Sequence, residues 1–195
     1  MTNPDHFAAP SKPQCDPPPP WYARLILALQ RRKYGSELES ARMWARLPRA
    51  FLALTLLYRS LDGGKSKIDP GLRALIQVHV SRINWCAFCV DLNGAAALER
   101  SVPAAKLEAL PDYASSEHFS ERERTALDYA EAMTNSANRV DETLRRRLDG
   151  FFGEEEILEL TALVAFQNMS SKFNAALGIP PQGFCSVSTA GGLQE

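Results

Sequence analysis

The chain has 195 residues, of which 45% are apolar and 23% are charged, and its formal net charge is −1. This balance argues against a nucleic-acid-binding protein, and we interpret the basic run at 145–147 as a solvated helix face. No apolar stretch reaches the roughly 18 residues of a membrane span, and the N-terminus shows no secretory signal pattern. We therefore expect a cytoplasmic protein with no membrane or nucleic-acid partner.

The domain organisation follows from composition along the chain. Residues 1–20 are polar and end in four consecutive prolines, so they are predicted to form a disordered or extended arm. Residues 21–180 carry the apolar periodicity of a single domain with one sizeable core. Residues 181–195 are mostly small and polar and are predicted to form a flexible tail.

Helical periodicity runs through the central part of the chain, and no alternating strand pattern of useful length occurs. Ser36 with Glu39, and Ser120 with Glu123, have the form of capping boxes, while Asp69 and Pro70 are suited to open a helix. The sequence therefore predicts an all-α bundle of eight or nine helices. The predicted ranges are about 21–34, 36–46, 48–62, 69–83, 86–99, 103–111, 120–136, 141–152 and 154–176.

Two of these helices are more apolar than a helix with one buried face needs to be. The last helix is apolar nearly all round between Ile157 and Phe173, and the helix at 48–62 carries five leucines and Phe51. Such surfaces are buried on two sides, either in a core or against another copy of the chain. We therefore expect a homo-oligomer.

Cys86 and Cys89 form a C-x-x-C pair at the predicted start of the fifth helix, after a break at Asn84 and Trp85. The unpaired amides and the positive dipole end of a helix N-terminus stabilise a thiolate. A separation of three residues places both sulfurs on one helix face, near enough for a disulfide. We interpret the pair as an attacking thiol followed by a resolving thiol, and we expect Cys86 to be exposed and Cys89 to face inward. The sequence does not assign which of the two meets a peroxide.

A structural zinc site is the competing interpretation of this pair. It would need two more ligands with similar spacing, whereas Cys15 and Cys185 fall in the predicted arm and tail. We therefore expect no metal and no cofactor.

Several segments together resemble a known family. They are Leu72-Arg73 leading into an apolar helix, Ser81 to Asp91 (SRINWCAFCVD), Phe119 to Glu123 (FSERE), and the ending from Glu159-Leu160-Thr161 through Phe173 to Ile179 (FNAALGI). They resemble the carboxymuconolactone decarboxylase family and, within it, the AhpD-like, peroxidase-related branch. The resemblance implies an oligomeric, all-helical AhpD-like bundle with alkylhydroperoxidase activity, in which a Glu and a His relay protons to a redox-active C-x-x-C pair.

This chain departs from the family pattern at the proton relay. Ala74 occupies the position of the family's Glu, and Asn93 occupies that of its His. Asn93 can hydrogen-bond a sulfur but cannot transfer a proton near neutral pH. His79 is a candidate replacement base, although a core histidine on an apolar helix stripe is the favoured interpretation. Asp91 is the other titratable group near the motif.

The leading hypothesis is a thiol-dependent oxidoreductase that reduces a hydroperoxide or a partner disulfide through Cys86 and Cys89. A thiol reductant protein would restore the dithiol, and peroxidase activity should be weak without the relay. The alternatives are a non-redox enzyme of the lactone decarboxylase type and a non-catalytic helical oligomer in which the cysteine pair is vestigial or structural.

Overall fold

A computed structural model describes residues 18–187, which form nine α-helices and one short 3₁₀ helix, Leu110–Asp112, with no strand in that range. The α-helices are α1 (Trp21–Tyr34), α2 (Glu39–Ala45), α3 (Pro48–Leu61), α4 (Pro70–Ile83), α5 (Ala87–Glu99), α6 (Ala104–Glu108), α7 (Glu121–Thr134), α8 (Glu142–Phe151) and α9 (Glu154–Ala176). The predicted all-α class is confirmed. The predicted arm, up to residue 17, and the tail beyond residue 187 lie outside the described residues.

Helix α4 is the centre of the bundle. It packs against α5, α7 and α9, and ten consecutive residues, 72–81, are buried. Leu75, Ile76 and Val78 join the main apolar core, which α7 and α9 complete with Leu127, Leu160 and Leu163. Burial of each such side chain contributes about 1.5–3 kcal/mol, so α4 is the best-anchored element of the fold.

A second, smaller apolar cluster covers the N-terminal end of α5. It combines Cys86, Phe88 and Cys89 with Phe51 from α3 and with small residues from α1 and α2. The first three helices therefore close over the cysteine pair.

The hydrogen bonds at the N-termini of the helices can be compared with the predicted capping residues. Asp69 accepts the amide of Leu72 at 2.9 Å, and Ser120 and Glu123 form the predicted capping box of α7. The predicted capping box of Ser36 with Glu39 is wrong, because α2 begins only at Glu39. The Glu39 amide donates instead to Gln182 Oε1 at 3.0 Å, so a tertiary contact replaces the local cap.

The helical spacing of Trp21, Leu25, Ile26 and Leu29 predicts an apolar face on α1, but of these four residues Ile26 alone packs against the second cluster. Trp21 is 75% exposed, Leu25 and Leu29 are also exposed, and Ala23 alone is buried among the residues of this helix. The apolar residues of α3 behave similarly, since Phe51 alone is buried there. Both helices therefore present apolar side chains at the surface of the described chain.

The C-terminal segment is docked as far as residue 187, which differs from the predicted flexible tail over 181–187. The carboxylate of Asp91 accepts the backbone amides of Gln182 and Gly183 at 2.8 Å and that of Cys185 at 2.7 Å. Val187 packs against the main core. Three amides on one buried carboxylate fix this segment on α5.

Within residues 18–187, no helix combines the length and the apolar character needed to cross a membrane.

A buried ion cluster joins α3 to the start of α4 and the end of α5. Asp62 accepts from Arg73 at 3.1 Å, from Arg100 at 2.6 Å and from the Tyr58 hydroxyl at 2.8 Å, and its side chain is 3% exposed. Burial would raise the pKa of Asp62, but the hydrogen bonds and charge of Arg100 outweigh it and hold that pKa below its usual range.

Replacing Asp62→Ala should lower the free energy of unfolding by about 3–5 kcal/mol, because Arg73 would be left buried without its partner. The pKa of Asp62 is lowered by folding, so its contribution is complete above roughly pH 4 and declines as the pH falls through the lowered value. Urea unfolding measures both effects. Asp149→Ala is the control, because the pair of Asp149 with Arg145 is exposed and should contribute less than about 1 kcal/mol. Equal losses in the two variants would contradict this account.

Candidate active site

The turn between α4 and α5 sets the position of the cysteines. Trp85 adopts a left-handed conformation, with φ of 56°, which costs a non-glycine residue about 1 kcal/mol or more. The Cys86 amide then donates back to the Ser81 carbonyl at 3.0 Å. The Asn84 side chain donates to Asn168 and Ser171 on α9 at 2.9 Å each. The turn is thus fixed against the longest helix of the fold.

Cys86 and Cys89 lie together at the N-terminus of α5, as their spacing predicts. Their Cα atoms are 5.3 Å apart, and the two sulfurs are within disulfide-bonding distance. Cys86 is the N-cap residue, and its sulfur accepts the Cys89 amide at 3.2 Å. The helix N-terminus therefore stabilises negative charge on the Cys86 sulfur.

The predicted exposure of Cys86 is wrong, whereas the inward-facing position predicted for Cys89 is confirmed. Cys86 is 1% exposed and Cys89 is 4% exposed. Helix geometry alone places Cys86 at the outer end of α5, but the first three helices cover that end.

A cavity of about 460 Å³ lies between the first three helices and the pair formed by α5 and α9. Cys89 lines this cavity, whereas Cys86 does not. Most of its wall is apolar or aromatic; the larger wall residues include Leu38, Trp44, Phe51, Tyr58, Phe88 and Phe166. Of the two sulfurs, that of Cys89 is therefore the one that a small molecule in the cavity would meet.

Asn174 holds the Cys89 sulfur from the side of α9. Its amide Nδ2 donates to Cys89 Sγ at 3.2 Å, and its Oδ1 accepts the Ser40 hydroxyl at 2.7 Å. Both Asn174 and Ser40 are buried. The bond from Ser40 fixes the orientation of the amide, so that an N–H faces the sulfur and stabilises a thiolate there. Sequence reasoning assigned no chemistry to either residue.

A neutral polar network borders the cavity near Asn93. Asn93 and Gln167 both donate to the Ser81 hydroxyl, at 3.2 and 2.9 Å. Ala74, at the family's Glu position, is fully buried in the main apolar core. Amides and a hydroxyl therefore lie around Asn93, and none of them titrates near neutral pH.

His79 and Asp91 lie outside the cavity wall. The His79 ring packs edge-on against Tyr113 with 5.0 Å between centroids, and its Nε2 is 3.7 Å from Glu131, beyond hydrogen-bond length. Burial lowers the pKa of His79 to about 4, so the ring is neutral at physiological pH. Its surroundings are those of a core histidine. The Asp91 carboxylate is occupied by the C-terminal segment described above.

In the part of the chain that the structure describes, no group of three or more His, Cys, Asp or Glu side chains is arranged to hold a metal ion.

Comparison with known proteins identifies the family. The model of the carboxymuconolactone decarboxylase family matches residues 47–132. YnjA of Escherichia coli (strain K12) is 39% identical over 159 residues, which make up 82% of this chain and 87% of YnjA. The chain belongs to the carboxymuconolactone decarboxylase family.

Solved structures agree with this membership. A peroxidase-related protein from Silicibacter sp. TM1040 has a TM-score of 0.79 and 26% identity, and the match covers all of both chains. A peroxidase-related protein with an alkylhydroperoxidase AhpD core, from Ralstonia eutropha JMP134, has a TM-score of 0.77 and 22% identity, with 87% of this chain and 90% of that chain covered. The predicted AhpD-like fold is confirmed.

Asn174→Ala should slow alkylation of reduced Cys89 by iodoacetamide about tenfold or more, because a hydrogen bond to a charged group is worth ~1.5–3 kcal/mol. The rate can be followed by mass spectrometry of the peptide that carries Cys89. Asn138→Ala makes the same chemical change at an exposed loop position and should leave the rate unchanged. An unaltered rate in Asn174→Ala would show that the amide does not stabilise the thiolate.

Proposed function

We propose that this protein is a thiol-dependent oxidoreductase of the AhpD-like type, in which Cys86 and Cys89 cycle between dithiol and disulfide. The supporting observation is the pair of sulfurs within bonding distance, one of which lines a cavity. The substrate is a partner disulfide or an organic hydroperoxide. The similarity to peroxidase-related proteins supports the same assignment.

The position of Cys89 on the cavity wall supports different tasks for the two sulfurs. The Cys89 thiolate attacks a sulfur of the substrate disulfide and releases one substrate thiol. Cys86 then attacks Cys89, forms the protein disulfide and releases the second thiol. With a hydroperoxide, Cys89 attacks the terminal oxygen and the alkoxide leaves as the alcohol after gaining a proton. The resulting sulfenic acid is resolved by Cys86 with loss of water. This order reverses the attacking and resolving thiols that we expect from the sequence.

A thiol reductant protein would regenerate the dithiol by attacking Cys89. Cys86 is then the leaving group, and the Cys89 amide together with the N-terminus of α5 stabilises its thiolate. A cytoplasmic location, which we also propose, would supply such reductants.

Proton supply favours disulfides over hydroperoxides as substrates. The side chain that contacts Cys89 is the amide of Asn174, which cannot donate a proton to a leaving alkoxide. Thiol–disulfide exchange needs only an accessible thiolate and a resolving thiol. Within the described residues no Asp, Glu or His lines the cavity, which argues against a lactone decarboxylase, because that reaction requires general acid–base chemistry.

Mild oxidation should convert the Cys86–Cys89 pair to an intramolecular disulfide. Cys86→Ser and Cys89→Ser should each prevent it, whereas Cys15→Ser and Cys185→Ser should not. With an added dithiol reductant, turnover of small disulfides should exceed that of hydroperoxides, and both should be lost in Cys89→Ser. Thiol counts before and after oxidation, with peptide mapping, identify the bond. If oxidation instead links two chains through Cys15 or Cys185 and leaves Cys86 and Cys89 as free thiols, the proposed redox function is wrong. The alternative of a non-catalytic protein with a vestigial pair would then hold.

We also propose that the chain assembles into a homo-oligomer through α1 and α3. These neighbouring helices expose Trp21, Leu25, Leu52, Leu56 and Leu57, with Leu56 at 60%. An apolar face of this kind is typical of an interface between copies. The last helix exposes fewer such residues, Leu158 and Met169.

Sedimentation at micromolar concentration should therefore show a species larger than the 21.6 kDa chain. Leu56→Glu should dissociate it, because a charge would be buried in the apolar contact. Leu158→Glu tests the alternative surface on α9 and should leave the assembly intact. A monomer at every concentration would remove this proposal.

A further inference from the structure

The charges around the Cys89 cavity have a single sign. Lys33 on α1 and Arg59 on α3 are the charged residues of its wall within the described chain, and no Asp or Glu lines it there. Both are exposed, and neither has a carboxylate ion-pair partner among residues 18–187. The Lys33 ammonium lies over the Tyr34 ring, 4.8 Å from its centroid, and this cation–π contact does not neutralise its charge.

A neighbouring polar cavity of about 700 Å³ shares Lys33, Tyr58 and Arg59 with the Cys89 cavity. The acids of this second cavity are already engaged. Asp62 is held by two arginines, and Glu159 accepts from the Ser66 hydroxyl at 2.6 Å. The wall common to the two cavities is therefore a positively charged mouth.

The remainder of the Cys89 cavity favours an apolar ligand. Trp44, Phe88 and Phe166 offer aromatic surface, and the volume lies within the range of about 300–1,000 Å³ typical of small-molecule sites. A ligand that suits both regions has an apolar or aromatic body and an anionic group at one end.

We propose that this cavity binds an amphiphilic organic anion, with the apolar body near Cys89 and the carboxylate, sulfonate or phosphate between Lys33 and Arg59. This inference rests on the proposed function for one step only, which is that Cys89 then acts on the bound molecule. The substrate class becomes a small anionic organic disulfide or hydroperoxide rather than hydrogen peroxide.

Binding can be tested without redox chemistry by two fluorescent dyes of similar shape. Anilinonaphthalene sulfonate carries the anion, and phenylnaphthylamine lacks it. In the double variant Lys33→Gln, Arg59→Gln the affinity for the sulfonate should fall about tenfold, and that for the neutral dye should not change. Added salt should weaken sulfonate binding in the natural protein and not in the variant.

The matched control is Arg31→Gln with Arg49→Gln, which removes two exposed charges from the same helices outside the cavity wall. It should preserve sulfonate binding. Bound sulfonate should also protect reduced Cys89 from iodoacetamide, which places the dye in the cavity rather than on the apolar surface of α1 and α3. Equal losses of both dyes, an unchanged sulfonate affinity or unprotected Cys89 would each overturn the proposal.

Reactivity provides the second test, in a background with Cys15→Ser and Cys185→Ser. The protein dithiol reduces an aromatic disulfide to two aromatic thiols and becomes the Cys86–Cys89 disulfide, so both electrons are accounted for. Dianionic dithiobis-nitrobenzoate should react about tenfold more slowly with Lys33→Gln, Arg59→Gln, whereas neutral dithiodipyridine should react at the natural rate.

The outcomes separate the two proposals. If neither aromatic disulfide oxidises Cys86 and Cys89 while selective sulfonate binding persists, the redox function is wrong and the anion site stands. If both disulfides react equally well with the natural protein and the double variant, the redox function stands and the anion site is wrong.

Discussion

The burial of α4 over residues 72–81 is the constraint on which the rest of the structure depends. Residues 72–81 have no exposed side, so both ends of the helix must be fixed in place. At its start, Arg73 pairs with Asp62 inside the protein. At its end, Ser81 receives the Cys86 amide and thereby sets where α5 begins. A shift of α4 would therefore move the cysteine pair as well as the core.

The same burial explains why the polar groups near the cysteines are neutral. A carboxylate at position 74 would lie in the main apolar core, where an unpaired charge costs several kcal/mol or is removed by protonation. Ser81, Asn93 and Gln167 instead satisfy one another by hydrogen bonds. Changing Ala74 to Glu and Asn93 to His would place the two new groups in surroundings that are not shaped to hold them, so we expect only part of a relay's effect from these two changes.

Local features of the fold could be predicted from the sequence, and features that depend on distant contacts could not. Asp69, Ser120 and Glu123 cap helices within three residues of their own positions, and these caps were predicted correctly. The hydrogen bond from the Glu39 amide to Gln182 spans 143 positions. No local pattern shows it, so the capping box predicted at Ser36 places the start of α2 too early.

The candidate site also has features that local sequence predicts and features that depend on distant contacts. The spacing of Cys86 and Cys89 predicted their proximity, because one helical turn determines it. Their burial depends on helices more than 30 residues earlier, and the bond from Asn174 to Cys89 spans 85 positions. No local pattern carries that information. Apolar periodicity on α1 also failed to distinguish a core face from an exposed one, because both give the same pattern.

The placement of the two sulfurs also determines how the pair would exchange with other thiols. Under the proposed function a mixed disulfide with an external thiol would form at Cys89, because Cys89 lines the cavity and Cys86 does not. Cys86 then lies within bonding distance of that mixed disulfide and already accepts an amide hydrogen bond. In the proposed mechanism resolution would be intramolecular, with a stabilised thiolate as its nucleophile, and would therefore outcompete a second external thiol. A buried resolving cysteine at a helix N-terminus would then make the mixed disulfide short-lived and direct the pair toward complete two-electron transfer.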